Sequence, residues 1–133
     1  ELGLAFQALD DLVDLAPGLD PGKQPYADLR ARVPSLPIRL AVEADPRVAR
    51  RLEALWGEEP APSDVPDALG RDVLRAGGPR ALSITREHLA RARRHLLAFH
   101  EDPARSLLER IVLDLERRAL LAAPHALSPE DTA

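Results

Sequence analysis

The chain has 133 residues, the length of one domain or part of one, and its 45% hydrophobic and 30% charged residues are typical of globular proteins. Its net charge of −4 gives no electrostatic basis for binding nucleic acid or an anionic membrane, and the lack of cysteine excludes disulfides and thiolate chemistry. Neither a membrane-spanning apolar run nor a secretory signal is visible, so we expect a soluble cytoplasmic protein without a transmembrane segment.

The first predicted element is a helix over residues 2–14. Leu2, Phe6, Leu9 and Val13 recur at helical spacing, and nothing breaks this pattern before Pro17. The pattern begins at the first residues of the chain, with neither a methionine nor a capping residue before it. We therefore expect the chain to belong to a longer polypeptide.

The carboxyl end of this helix carries three aspartates within about one turn, Asp10, Asp11 and Asp14. Mutual repulsion and the partial negative charge of the helix end destabilise each of them by a few tenths to about 1 kcal/mol. A divalent cation would reverse this effect, and carboxylate ligands suit Mg²⁺ that holds a phosphate. The pattern predicts a metal site, and a solvated acidic face is the alternative interpretation.

A loop is predicted over residues 15–34, because this segment is rich in proline and glycine, and Lys23 is its one lysine. The chain becomes helical again from Ser35 to Asp45. Asp45 is then the cap of an amphipathic helix that ends at Gly57. Near the end of that helix Trp56 is predicted to be a packing residue.

The second half of the chain is predicted to contain three further helices. Ser63 or Asp64 caps the first of them, which stops before the Gly77-Gly78 pair. Pro79 is predicted to begin the next helix. Its charged face carries a set of basic residues that we interpret as solvated, with no catalytic role for a histidine: Arg86, His88, Arg91, Arg93, Arg94 and His95.

The last predicted helix begins at Asp102-Pro103. The residues expected to be buried along it are Leu107, Leu108, Ile111, Val112, Leu115 and Ala119. No segment shows strand alternation of useful length, so the predicted fold class is an all-α helical bundle. Residues 1–123 form its helical part, and residues 124–133 form a flexible tail.

Several short elements follow one another in the first 37 residues. They are Gly3-x-x-Phe6-Gln7-x-x-Asp10-Asp11-x-x-Asp14, Gly22-Lys23, Asp28-Leu29-Arg30 and Ser35-Leu36-Pro37. This series closely resembles the second aspartate-rich motif of the trans-isoprenyl (polyprenyl) diphosphate synthase family and the segment that follows it. Beyond these residues the resemblance is loose.

The resemblance implies the C-terminal half of an isoprenoid-synthase-type fold, in which two aspartate-rich motifs face each other across a cavity. Mg²⁺ ions bridge these motifs to the substrate diphosphate. The implied activity is that of a Mg²⁺-dependent prenyltransferase, a polyprenyl diphosphate synthase. Such an enzyme condenses an allylic prenyl diphosphate with isopentenyl diphosphate to make a longer prenyl diphosphate.

The resemblance also implies roles for individual residues. Asp10 would bind metal directly, and Asp11 and Asp14 would hold it directly or through water. Asp10 and Lys23 would be the catalytic residues. The implied substrate-binding residues are Phe6, which packs beside the incoming five-carbon unit, Gln7 and Lys23.

The sequence departs from the family pattern at two positions after the loop. Val33 stands where the family usually has a second diphosphate-binding lysine, and Ser35 replaces the usual threonine. Arg30 or Arg32 can supply the missing charge only if its side chain points into the site. Nothing matches the first aspartate-rich motif. We therefore expect activity to require an N-terminal half or a partner chain that carries it, in a homo- or heterodimer.

Three other interpretations remain open. A non-catalytic or regulatory subunit of a heteromeric synthase would keep the fold, and Val33 favours it slightly. A class I terpene cyclase would share the cation chemistry and the helical cavity. An interaction bundle would bind no diphosphate.

Overall fold

A computed structural model describes residues 1–60 and 63–127 of the chain. This part contains six helices and no β-strand, so the predicted all-α fold is confirmed. The helices are α1 (Leu2–Asp14), α2 (Ala27–Arg30), α3 (Leu36–Ala44), α4 (Pro46–Gly57), α5 (Asp67–Leu96) and α6 (Pro103–Ala126). None of the helices in residues 1–60 and 63–127 is both long enough and apolar enough to span a bilayer.

The long helix α5 is the centre of the bundle, because α1, α3 and α6 all pack against it. The side of α1 that faces the core repeats at helical spacing, with Ala5, Leu9 and Leu12 fully buried. Its opposite side carries Gln7 and Asp10. Packing of α1 against α5 therefore fixes which side of the acidic helix remains uncovered.

Two helices begin where the sequence predicts. The Asp45 carboxylate accepts the backbone amide of Arg47 at 2.8 Å at the start of α4. The Asp102 carboxylate accepts the amide of Arg105 at 2.8 Å at the start of α6. Each aspartate thus satisfies an amide that has no partner within its helix.

The predicted helix break at Gly77-Gly78 is wrong, since α5 continues through both glycines and through Pro79. A Cβ on Gly77 would lie 2.0 Å from the carbonyl oxygen of Pro37 in α3, and one on Gly78 would lie 3.3 Å from Ala126 in α6. The glycines therefore allow two helices to approach α5. A proline inside a helix lowers the helix stability by about 3 kcal/mol, and the packing of α3 and α6 against α5 offsets this cost at Pro79.

The predicted start of this helix is also wrong. α5 begins at Asp67 directly after Pro66, and no side chain caps it, so neither Ser63 nor Asp64 is its N-cap. Local capping signals are weak predictors when the connection before a helix contains several prolines, because each proline fixes the backbone independently.

The burial predicted along α6 is partly wrong. Val112, Leu115 and Ala119 are buried, but three residues of the first turns are exposed because no described element covers that side of the helix: Leu107, Leu108 and Ile111. The helix also passes through Pro124 and ends at Ala126, which is buried. The first three residues assigned to the tail are therefore helical, and residues 128–133 lie outside the described part of the chain.

Candidate functional site

The loop after α1 returns to the carboxyl end of that helix and brings Lys23 against Asp10. Lys23 Nζ lies 3.3 Å from Oδ2 and 3.5 Å from Oδ1 of Asp10. Both side chains are about 40% exposed, at 43% and 40%. Lys23 is the only lysine of the sequence. The two residues predicted to be catalytic are therefore in direct contact at the surface.

Asp14 has a different environment, because it is only 5% exposed. Its Oδ1 accepts the backbone amide of Ala27 and its Oδ2 accepts that of Asp28, both at 3.1 Å. Its backbone carbonyl accepts the amide of Tyr26 at 2.9 Å. Asp14 thus binds the amides at the start of α2 and anchors the end of the loop to α1.

Asp11 connects α1 to α3. Its Oδ2 accepts the backbone amide of Leu36, the first residue of α3, at 3.2 Å. Its Oδ1 accepts the side-chain amide of Gln7 at 2.6 Å. Asp11 therefore holds both the start of the next helix and the side chain that was predicted to contact substrate.

A fourth carboxyl group, Asp28, lies beside these aspartates and has no role in the sequence-based prediction. Burial raises its pKa above the usual 3.8; the nearby Ser35 hydroxyl opposes this shift, and the charges of Asp14 and Asp11 add to it. Ser35 Oγ is buried and makes no hydrogen bond of normal geometry among the described residues. The Asp28-Leu29 pair is recognisable in the sequence, but its position beside the aspartates of α1 depends on how the loop folds.

The uncovered side of α1 consists of Gly3, Phe6, Gln7 and Asp10, which we call the exposed face of α1. Phe6 is 50% exposed and lies one turn before Asp10 on the same side of the helix. An aromatic ring is thus presented to solvent next to a carboxylate and a lysine. Together with Lys23 beside it, this face therefore combines an apolar surface with one negative and one positive charge.

The three aspartates do not converge on one metal position. Within residues 1–60 and 63–127, no group of three or more His, Cys, Asp or Glu side chains has an arrangement that could hold a metal ion. Asp11 and Asp14 use their oxygens to bind amides, whereas Asp10 contacts Lys23. Of the three, Asp10 is the one whose carboxylate accepts no backbone amide among the described residues.

Val33 stands at the position of the second lysine of the family pattern, and neither Arg30 nor Arg32 supplies the missing charge. The Arg30 guanidinium donates to the carbonyl of Pro25 at 2.5 Å and to that of Gln24 at 3.4 Å. The Arg32 guanidinium donates to the Glu58 carbonyl at 2.7 Å and to the Glu59 carboxylate at 3.3 Å. Both side chains are therefore bound within loops rather than at Asp10.

Comparison with protein-family models finds no match to this chain. The searches of curated proteins and of solved structures find no match either. The resemblance to the synthase family therefore rests on the sequence elements of residues 1–37 alone.

Proposed function

We propose that the chain supplies the half of a prenyl diphosphate synthase site that contains the second aspartate-rich motif. The reaction is the condensation of an allylic prenyl diphosphate with isopentenyl diphosphate. The contact between Lys23 and Asp10 on the exposed face of α1 carries this proposal. Because each group neutralises the other, a Mg²⁺–diphosphate complex can replace the contact, with metal on Asp10 and phosphate on Lys23.

Bound Mg²⁺ would supply electrostatic stabilisation of the negative charge on the departing diphosphate. The Lys23 ammonium donates hydrogen bonds to the same phosphate oxygens and stabilises the charge that develops there. The half-exposed ring of Phe6 packs against the apolar part of the substrate. Gln7, oriented by Asp11, presents its amide on the same face.

Asp11 and Asp14 act differently from Asp10 in this proposal. Their hydrogen bonds to Leu36, Ala27 and Asp28 hold the loop in the conformation that places Lys23 beside α1. Their contact with a metal would run through water. The opposing side of the diphosphate would be bound by the first aspartate-rich motif, supplied by a segment outside this sequence or by a partner chain.

The unique lysine provides the test. Its reaction with an amine-acetylating reagent, followed by peptide mass spectrometry, reports its accessibility separately from that of the N-terminus. We expect inorganic pyrophosphate to protect Lys23 when Mg²⁺ is present and to protect it far less without Mg²⁺. Asp10→Asn should remove the dependence on Mg²⁺, whereas the control Asp114→Asn, an exposed aspartate of α6, should retain it. Equal labelling under all conditions would contradict the proposal.

A second candidate is a non-catalytic subunit of a heteromeric synthase. It is favoured by the engagement of Arg30 and Arg32 elsewhere, which leaves the position of Val33 without a nearby replacement cation. Reconstitution with a catalytic partner distinguishes the two functions. Prenyl transfer by the complex that is unchanged by Asp10→Asn supports the non-catalytic subunit, and a large loss supports the catalytic one.

A further inference from the structure

A groove of about 500 Å³ runs between α5 and α6. Leu89 and Ala119 form its buried floor. The side chains along its edges are Arg86, Ala90 and Arg94 of α5, Leu97 directly after α5, and Glu116 and Leu120 of α6. We call this surface the α5–α6 groove. None of its residues belongs to the site at the end of α1, so an inference about it is independent of the proposed function.

Exposed leucines recur at a spacing of seven residues along α6 and just past its end, and one of them, Leu120, lines the groove. Leu120 lies on its edge and is 65% exposed, and Leu113 and Leu127, seven residues before and after it, are exposed as well. On the other side of the groove, Leu97, directly after α5, follows Ala90 at the same spacing. Seven residues are about two turns, so these side chains form a line along which another helix can pack. From Leu113 to Leu120, both within α6, the line is about 10 Å long.

Within residues 1–60 and 63–127, two cations of the groove have no acidic partner. Arg93 is paired with Glu116 at 3.2 Å, but Arg86 and Arg94 contact no carboxylate among the described residues. An occupant that covered them with apolar groups alone would remove their charge from water without compensation. The occupant is therefore expected to carry carboxylates beside its apolar contacts.

We propose that the α5–α6 groove binds an amphipathic α-helix of a partner protein, with acidic residues on the flanks of its apolar stripe. The leucines and the apolar floor contact the stripe, and Arg86 and Arg94 pair with the acidic flank. The small side chains of Ala90 and Ala119 allow the helix axes to approach to about 8–10 Å. The concave shape of the groove favours a helix over a flat membrane surface as the occupant.

The test uses two labelled synthetic peptides of about 20 residues, a length at which a helix can form. Both have leucines at the a and d positions of a heptad, with glutamates on the flanks of one and lysines on the flanks of the other. Fluorescence anisotropy with the full chain should show binding of the glutamate peptide and weaker binding of the lysine peptide. Leu120→Asn should weaken glutamate-peptide binding about tenfold.

The neighbouring leucine is a matched control. Leu121 is also 65% exposed but lies outside the groove, so Leu121→Asn should leave binding unchanged. Arg94→Glu should reverse the preference between the peptides, and Arg117→Glu, an exposed arginine of α6 outside the groove, should not. Circular dichroism of each variant checks that it is folded.

Several results would overturn this proposal. One is equal affinity for the two peptides, and another is an equal effect of Leu120→Asn and Leu121→Asn. Dissociation of a dimer by Leu120→Asn in analytical ultracentrifugation would show that a second copy of the chain occupies the groove. Binding to phosphatidylglycerol vesicles that depends on Arg94, without binding of the glutamate peptide, would assign the groove to a membrane surface.

Discussion

The carboxylate of Asp14 accepts the backbone amide of Asp28 at 3.1 Å, across thirteen intervening residues of the loop. This bond and its counterpart to Ala27 make Asp14 a structural anchor, whereas Asp10, one turn earlier, is bound by Lys23 at the surface. Two aspartates of one motif thus have separable roles, which leads to the first prediction.

Asp14→Ala should destabilise the fold by about 2–3 kcal/mol, because it removes two charge-assisted hydrogen bonds and leaves the amides of α2 without partners. Asp10→Ala, in contrast, should change the free energy of unfolding by less than about 0.5 kcal/mol, since it removes an exposed ion pair. Urea unfolding at pH 7, followed by circular dichroism, compares the two variants. Equal stabilities would show that the hydrogen bonds of Asp14 do not support the loop.

Gly77→Ala should destabilise the bundle by about 2–3 kcal/mol, because the added methyl group would lie 2.0 Å from the Pro37 carbonyl oxygen and would separate α3 from α5. The control is Gly3→Ala in α1, where nothing lies within 4 Å of the new methyl group. This control should be neutral or stabilising by up to about 1 kcal/mol, because alanine favours helix. Thermal unfolding of both variants measures the difference, and a stable Gly77→Ala protein would contradict the close approach of the two helices.

Asp28→Asn should be more stable than the native protein at pH 7. Burial raises the pKa of Asp28 in the folded state, so stability is lost as the pH rises from about the usual value of 3.8 through that raised pKa. Asparagine does not ionise, and the advantage of the variant should disappear below pH 3.8. Urea midpoints at several pH values test this, with the exposed Asp114→Asn as control. A pH-independent difference would assign the effect to hydrogen bonding rather than charge.

Trp56→Phe should destabilise the fold by about 1 kcal/mol, since Trp56 Nε1 donates a hydrogen bond of 3.0 Å to the carbonyl of Leu29. The substitution keeps an aromatic ring between α4 and α2 but removes the shorter of two hydrogen bonds to that carbonyl, which retains the 3.4 Å bond from the Arg32 amide. Circular dichroism during urea unfolding measures the change, because the variant has no tryptophan. Phe99→Leu, at an exposed position, should have little effect and serves as a control.

The sequence was sufficient for elements that depend on near neighbours. The span of α1 follows from apolar residues at helical spacing, and the starts of α4 and α6 follow from Asp45 and Asp102, each directly before a proline. These signals act within one or two turns, so no other part of the chain is needed to read them.

The continuity of α5 could not be predicted in the same way. Gly77, Gly78 and Pro79 have the local properties of a helix end, but their environment is provided by Pro37 of α3 and Ala126 of α6. Contacts between residues far apart in sequence outweighed the local preference. The same reason applies to the exposed start of α6, where no described helix covers the expected core residues.

For the site at the end of α1, the sequence by itself determined the all-helical class and the row of carboxylates on one helix, because helical periodicity alone assigns residues to sides. Only the tertiary structure decided what each carboxylate does. The loop returns over the helix end, so that Asp14 is buried against the start of α2 while Asp10 meets Lys23 in solvent. Burial and partners come from residues more than ten positions away, and no spacing within a single helix encodes them.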